Sequence, residues 1–268
     1  MIFVLLIIIV VILTAFLIIT VVNKTYKNKI DKIYIINLEK RSDRLTFVES
    51  NYNLEKEFII YKAIDGNSLD LKQLETEGII DEETIRQMNK KREHHFELTH
   101  KGAIGCYLSH YYLWKSLKES DDNQILIIED DIIFNKITLR EINKRLLLLP
   151  TDWDIYLLID ENYAYDNNYY NKQTHKNLLK VNRFFGTHAY IINKKAVEKI
   201  FKTNTIFPIN QQIDSYLSEL SNDFNLNIYV HNNYYNNYNQ SSLMGTDIQI
   251  HNNSQLSYKR NLLIKLEV

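Results

Sequence analysis

Cysteine, proline and glycine are all scarce. Cys106 is the only cysteine among 268 residues, so an intramolecular disulfide and a cysteine-based zinc cluster are both excluded, and the fold must rest on an apolar core. Two prolines and six glycines leave no Gly/Pro-rich or Ser-rich seam of the kind that separates domains. The length suits one substantial core. Neither sign of charge dominates: 32 Lys and Arg stand against 33 Asp and Glu, with no dense basic face to displace counterions from a phosphate backbone. No nucleic acid partner is expected.

Long apolar sequence is present, and all of it lies at the start. Residues 2–22 run without a charge, which at about 1.5 Å per helical residue spans roughly 30 Å, the thickness of a bilayer's hydrocarbon core. A cleaved signal peptide has a shorter apolar stretch, a basic segment before it and a small-residue cleavage site after it; none of these is present. The expected organisation is therefore a transmembrane anchor at 1–22, a short stem at 23–31 and one domain at 32–268. The chain is expected to be a single-pass membrane protein. Two signals oppose each other on which side carries the domain. Lys24, Lys27, Lys29 and Lys32 follow the anchor and favour the cytosol by the positive-inside rule. The sequons at Asn23, Asn239 and Asn252 suit a lumenal domain, although sequons arise often by chance in an Asn-rich chain.

Beyond the stem, short apolar runs alternate with helical spacing. Residues 32–38 form a nearly continuous apolar, β-branched run, as in a buried central strand. Ser42 or Asp43 is placed to cap the helix carrying Leu45, Phe47 and Val48. A short strand is expected at 58–61, then exposed helices and loop over 69–97. Ile104, Leu108, Tyr111 and Trp114 predict a helix over 102–120, whose opening Gly102, Ala103 and Gly105 permit close approach to a neighbour or a ligand. Residues 124–128 and 153–159 read as strands separated by a helix at 139–149, and 184–192 as a strand followed by a helix at 194–201. The Tyr/Asn-rich stretches 161–176 and 232–239 read as loops. Strands alternating with helices argue an α/β sheet with parallel pairs.

Glu129, Asp130 and Asp131 follow directly on the apolar strand at 124–128. Open α/β sheets bind ligands at the carboxyl ends of their strands, and like charges packed there repel unless a divalent cation is shared between them. Hard oxygen ligands suit magnesium or manganese. An isolated acidic triplet is equally a solvated turn, so the cluster does not decide the matter alone.

The surrounding segments do more. IYIINLEKRSDR at 33–44, GAIGCYLSHYYLWKSL at 102–117 with ILIIEDDIIF at 125–134, GTHAYIINKKAV at 186–197 and FPINQQIDSYL at 207–217 resemble, in order and character, the motifs of glycosyltransferase family 25, which includes bacterial lipooligosaccharide and procollagen galactosyltransferases. The resemblance implies a GT-A-like, Rossmann-related nucleotide-sugar-binding domain, a UDP-sugar donor, Mn2+ (or Mg2+), inversion at the anomeric carbon, and a glycan, lipooligosaccharide or glycoprotein acceptor. It makes Asp131 the leading metal ligand, with Asp130 and Glu129 sharing the metal or holding the ribose; Glu first departs from a simple Asp-x-Asp and leaves that division of labour open. Asp214, in the late motif, becomes the candidate base for the acceptor hydroxyl, against a plain helix-start aspartate.

Asn37, Arg41 and Arg44 stand where the first strand ends, and a guanidinium there is suited to uracil or diphosphate; Arg44 is the preferred of the two arginines. Ser109 and His110 are candidates to line the donor pocket or brace the carboxylates, with a structural role leading for His110. Gly186, Thr187 and His188 are expected to form a turn that approaches the donor sugar. Gln240, Ser242 and Asp247 resemble a C-terminal block that closes over the nucleotide. His231 and His251 are weak candidates for the metal shell. The rivals are a metal-dependent phosphohydrolase, which needs further Asp or His ligands at other strand ends, and a catalytically inactive, membrane-tethered sugar-nucleotide-binding module.

Overall fold

A computed structural model describes residues 12–14, 29–88, 90–134, 138–158, 170–175, 178–231 and 238–240. The proposed anchor at 1–22 lies outside these apart from 12–14, and Ser242, Asp247 and His251 lie outside them altogether. Among the described residues no helix is long and apolar enough to cross a membrane.

The fold is mixed α/β. Strands β1 (Lys32–Asn37), β2 (Ile59–Lys62), β3 (Gln124–Glu129), β5 (Ile155–Leu157), β6 (Tyr170–His175), β7 (Leu178–Val181), β8 (Ala189–Asn193) and β9 (Ile228–His231) form one sheet in the order β2-β1-β3-β8-β5-β9-β7-β6. The pairs β1/β2, β1/β3 and β5/β9 are parallel, and the remaining pairs are antiparallel. Six strands therefore point one way, and β7 and β8 oppose them. A separate ribbon pairs β4 (Ile132–Phe134) with β10 (Tyr238–Gln240).

Helices cover both faces, which is why the central strands read as unbroken apolar runs. Alternate residues of β3 supply the two cores. Ile125 and Ile127 join Trp114 of α4 (Lys101–Glu119), Val197 of α6 (Lys194–Lys202) and Leu217 of α7 (Ile213–Asp223). Leu126 and Ile128 join Val48 of α1 (Ser42–Asn51) and Leu146 of α5 (Leu139–Leu148). Two short helices, α2 (Leu71–Thr76) and α3 (Glu82–Gln87), fill the connection from β2 to α4, capped by Asp70 and Asp81. This connection is less exposed than its charge suggests, since Leu74, Ile80 and Leu98 are buried.

Four local expectations are corrected. Neither Ser42 nor Asp43 caps α1: the N-cap is Arg41, without a side-chain cap bond, and the Asp43 carboxylate instead accepts from the Arg41 guanidinium at 2.9 and 2.8 Å. The strand expected over 184–192 begins only at Ala189, because Gly186 takes φ +82° and breaks the extended path. Residues 170–175, expected as loop, form edge strand β6, where pairing with β7 overrides a polar composition. Residues 238 and 239, also expected as loop, pair with β4 together with Gln240.

The small residues opening α4 serve backbone packing. A Cβ on Gly105 would meet the Ile64 carbonyl oxygen, and one on Gly66 would meet that of Lys101. The turn after β2 thus lies directly on the helix start. Ser109 fastens it, accepting from the Ile64 N–H at 2.9 Å and donating to the Gly105 carbonyl at 2.7 Å.

Candidate active site

The acidic cluster sits where β1 and β3 end and β8 begins. Strand parity sorts its side chains. Glu129 continues the parity of Ile125 and Ile127 and faces α4; Asp130 continues that of Leu126 and Ile128 and faces α1.

On the α1 side, Asp130 is closed. Its Oδ1 accepts from Arg44 Nη1 at 2.8 Å and its Oδ2 from Asn37 Nδ2 at 2.7 Å, and all three side chains are buried. Arg44 Nη2 also lies 3.7 Å from Asp131 Oδ2. Burial pushes the Asp130 carboxyl up to about 6, against the opposing pull of Arg44 and with a further push from Asp131. Both oxygens of Asp130 are committed within the protein, which disfavours it as a metal ligand. Arg44 binds the cluster itself. Arg41 pairs with its near neighbour Asp43.

On the α4 side, Glu129 accepts from Thr187 Oγ1 at 2.7 Å, with His188 Nδ1 at 3.2 Å and His110 Nε2 at 3.4 Å. The antiparallel ladder places His188: the Glu129 N–H donates to the His188 carbonyl at 2.8 Å, so the pair faces across the junction of β3 and β8. Burial raises the Glu129 carboxyl, but the hydrogen bonds and charges of His110 and His188 outweigh it and hold the group well below the usual range. His188 is correspondingly raised: burial lowers it, and Glu129 more than offsets that.

The partners of His110 favour one tautomer. The Trp114 indole N–H donates to the Tyr190 hydroxyl at 2.9 Å, and that hydroxyl lies 2.8 Å from His110 Nδ1. With one lone pair occupied by Trp114, the hydroxyl satisfies its own proton by donating to Nδ1, so Nε2 carries the ring proton and points it at Glu129. His110 therefore braces the carboxylate, as expected of a structural histidine. Ser109 touches no carboxylate.

Among the described residues, two sets of side chains converge closely enough to hold a cation: Glu129, Asp131 and His188, and Cys106, His110 and Glu129, each with ligand atoms within 4.8 Å of one another. The second set is unsuitable, because His110 presents a proton and burial raises the Cys106 thiol well above its ordinary range, keeping it from the thiolate a metal requires. The first combines two carboxylates with an imidazole, a donor set that fits manganese better than magnesium, which prefers oxygen alone. His231 belongs to neither set. It has the parity of Tyr229, lies on the α5 side of the sheet, and bonds the Tyr156 hydroxyl at 2.8 Å.

Asp214 is buried near the start of α7, and its oxygens are occupied. Oδ2 meets His95 Nε2 at 2.6 Å and accepts from the Gly186 N–H at 2.7 Å; Oδ1 accepts from the Ser215 N–H at 2.7 Å. Burial raises its carboxyl, but His95 and the Gly186 N–H outweigh this and leave it below its ordinary value. A buried, fully hydrogen-bonded and weakly basic carboxylate is a poor proton acceptor. What it does hold is the turn 186–188: a Cβ on Gly186 would strike His188 Nε2 at 2.3 Å, so the glycine, its positive φ and the Asp214 bond together set His188 against Glu129. His95 has no distinguishing local signal: it lies between His94 and Phe96 in a stretch expected to be exposed. In the sequence, Trp114 reads as core spacing only and Tyr190 as plain strand.

Residues 30–217, most of the chain, match the family described as Glycosyltransferase family 25 (LPS biosynthesis protein). The chain belongs to glycosyltransferase family 25. Among curated relatives of this family-25 chain, procollagen galactosyltransferase 1 of Danio rerio is 26% identical over 187 residues, covering 68% of this chain and 30% of its own. Procollagen galactosyltransferase 2 of Homo sapiens is 28% identical over 182 residues, covering 65% and 28%. The chain thus spans less than a third of the length of these curated relatives. Among solved structures, mouse xyloside xylosyltransferase 1 in its apo form overlaps with a TM-score of 0.40 at 8% identity, over 77% of this chain and 76% of its own, too loosely to carry an argument. The matched span includes Asn37, Arg41, Arg44, the acidic cluster, the turn at 186–188 and Asp214.

Proposed function

We propose that this chain is a glycosyltransferase that moves a hexose, galactose or glucose, from a UDP-sugar to a glycan or glycoconjugate acceptor with inversion, on a GT-A-like domain tethered to a membrane by residues 1–22. The observation that carries the reading is the convergence of Glu129, Asp131 and His188 at the carboxyl end of β3 in a chain of this family. A manganese or magnesium ion held by these three would neutralise the departing diphosphate. The protein's own groups prepare that place. Arg44 and Asn37 hold Asp130 and keep Asp131 oriented toward the cluster, and the chain from Trp114 through Tyr190 and His110 aims Glu129. Arg41, at the solvent side of the same strand end, is the guanidinium positioned to meet the nucleotide, since its pair with exposed Asp43 is worth little in water.

In this reading Asp214 is a positioning residue for the turn at 186–188. Asp214→Asn tests it: a positioning role weakens manganese binding together with kcat, whereas a base leaves metal and UDP affinity unchanged and loses only kcat. The phosphohydrolase alternative lacks support, because His231 at the end of β9 is spent on Tyr156 and no other His/Asp/Glu/Cys set among the described residues converges. Product mass from a panel of UDP-sugars with manganese tests the whole proposal. Turnover on one UDP-hexose that falls on the order of 10²–10³-fold in Asp131→Ala supports it; no metal-dependent turnover on any UDP-sugar refutes it and leaves the binding-module reading.

A further inference from the structure

We propose that the sheet edge opposite the acidic cluster, marked by Leu147 and Leu148, rests in the headgroup layer of the bilayer that the N-terminal apolar run enters. The proposal rests on the membrane-anchor reading of residues 1–22 and is independent of the reaction catalysed.

The chain's point of emergence is fastened on several sides. The Lys29 N–H donates to Asn143 Oδ1 of α5 at 2.8 Å, Gln124 Nε2 donates to the Lys29 carbonyl at 2.6 Å, and Asp31 Oδ2 accepts from the N–H groups of Asn123 and Gln124 at 2.7 and 3.0 Å. Lys29 is therefore fixed at the amino-terminal end of β3, beside α5. Only six residues separate it from Val22, a reach of at most about 25 Å even fully extended over the seven steps. The protein surface at this edge is thus confined close to the bilayer.

That surface carries an apolar ridge. Leu147 and Leu148 are 50% and 60% exposed, while Leu139, Ile142 and Leu146 of the same helix are buried. Leu147 lies one helical turn from Asn143, roughly 6 Å along the helix surface from the residue that holds the chain's exit. Trp153, half-buried, follows at the same edge, a residue type favoured at membrane interfaces. Nearby charges are of both signs: Lys144 pairs with Glu141, and Lys32 with Asp122. Lys24 and Lys27 of the stem add attraction to anionic lipid, so a zwitterionic surface isolates the contact that the leucines make. The six residues of β3 then hold Glu129 and Asp131 roughly 20 Å farther from the bilayer, opening toward solvent.

The test uses the full chain in phosphatidylcholine vesicles, in a Cys106→Ala background, with an environment-sensitive dye on Leu148→Cys or, at the opposite sheet edge, on Glu39→Cys. The expected result is blue-shifted emission at 148, quenched roughly twofold by nitroxide-headgroup lipid, with neither effect at 39. Equal quenching at the two positions overturns the proposal. So does a blue shift at 148 that lipid nitroxide leaves unquenched and that fades as the protein is diluted in lipid, which means a second copy covers the ridge. A chain released from vesicles by alkaline carbonate removes the anchor and the proposal with it. None of these outcomes bears on UDP-sugar turnover, which is measured separately.

Discussion

The two flanks of the acidic cluster hold neighbouring carboxylates by different means. On the α1 side, Asp130 is locked by a permanently charged guanidinium and an amide, both buried, one on each oxygen. On the α4 side, Glu129 is held by a hydroxyl and two imidazoles, groups that can give up or reorient a proton. The first arrangement suits a fixed strut and the second a site that exchanges ligands. Two consecutive residues on one strand end thus divide support from chemistry, through the parity of the strand alone.

The comparison breaks most sharply at Arg44. Arg44→Met strands Asp130 among buried groups and is expected to destabilise the fold by about 3–5 kcal/mol, whereas Arg44→Met with Asp130→Leu restores most of it; urea unfolding of both variants measures this. A similar loss in the pair and in the single variant would mean that Asp130 supports more than the arginine.

A second effect of about 3 kcal/mol concerns pH. The Asp130 carboxyl stands at about 6 in the fold against an ordinary 3.8, so between those values the folded state binds the extra proton and stability falls as pH rises. His231, lowered to about 4 by burial, does the reverse over nearly the same window, because there the unfolded chain binds the extra proton. The expected outcome is therefore a difference: Asp130→Asn removes the falling contribution, and its stability rises more steeply from pH 4 to 6 than that of the parent. Parallel profiles would place Asp130 outside this balance.

On the α4 flank, His110→Ala should weaken manganese binding about 10–100-fold by freeing Glu129 to turn, with stability measured alongside to separate the two effects. Calorimetric titration of manganese reads it. The smallest effect is expected from Tyr190→Phe, which leaves the ring in place, strands the Trp114 N–H and releases the His110 tautomer. It should cost about 1–3 kcal/mol of stability and a few-fold in metal affinity. Unchanged affinity would confine the Trp114–Tyr190 bond to a packing role.

Much of the fold was legible because periodicity reports burial. The runs at 32–37 and 124–129, the spacing along 101–119 and the helix at 139–148 fall within a residue or two of expectation. The misses share a cause. β6 and β10 are polar strands made by pairing rather than by an apolar pattern of their own, and the strand expected from 184 was shortened by a glycine whose positive φ only its surroundings require. In the site, the structure brings Glu129, Asp130, Asp131, Asn37, Arg44, His110 and Thr187 together where β1 and β3 end. Ser109 belongs to helix packing instead, and His95 entered only because α7 and the segment before α4 meet.

Local sequence determined which residues point to which face, since side chains alternate along a strand and recur every three to four residues on a helix. That was enough to place an acidic cluster at a strand end and to separate Glu129 from Asp130. Only the tertiary structure decided which helix waits on each side, and therefore that Asp130 meets Arg44, that Glu129 meets His110 and His188, and that Asp214 is closed by His95 and Gly186. These partners lie 19 to 119 residues apart in the chain. Contacts at such separation depend on the packing of the whole sheet, which no local pattern encodes.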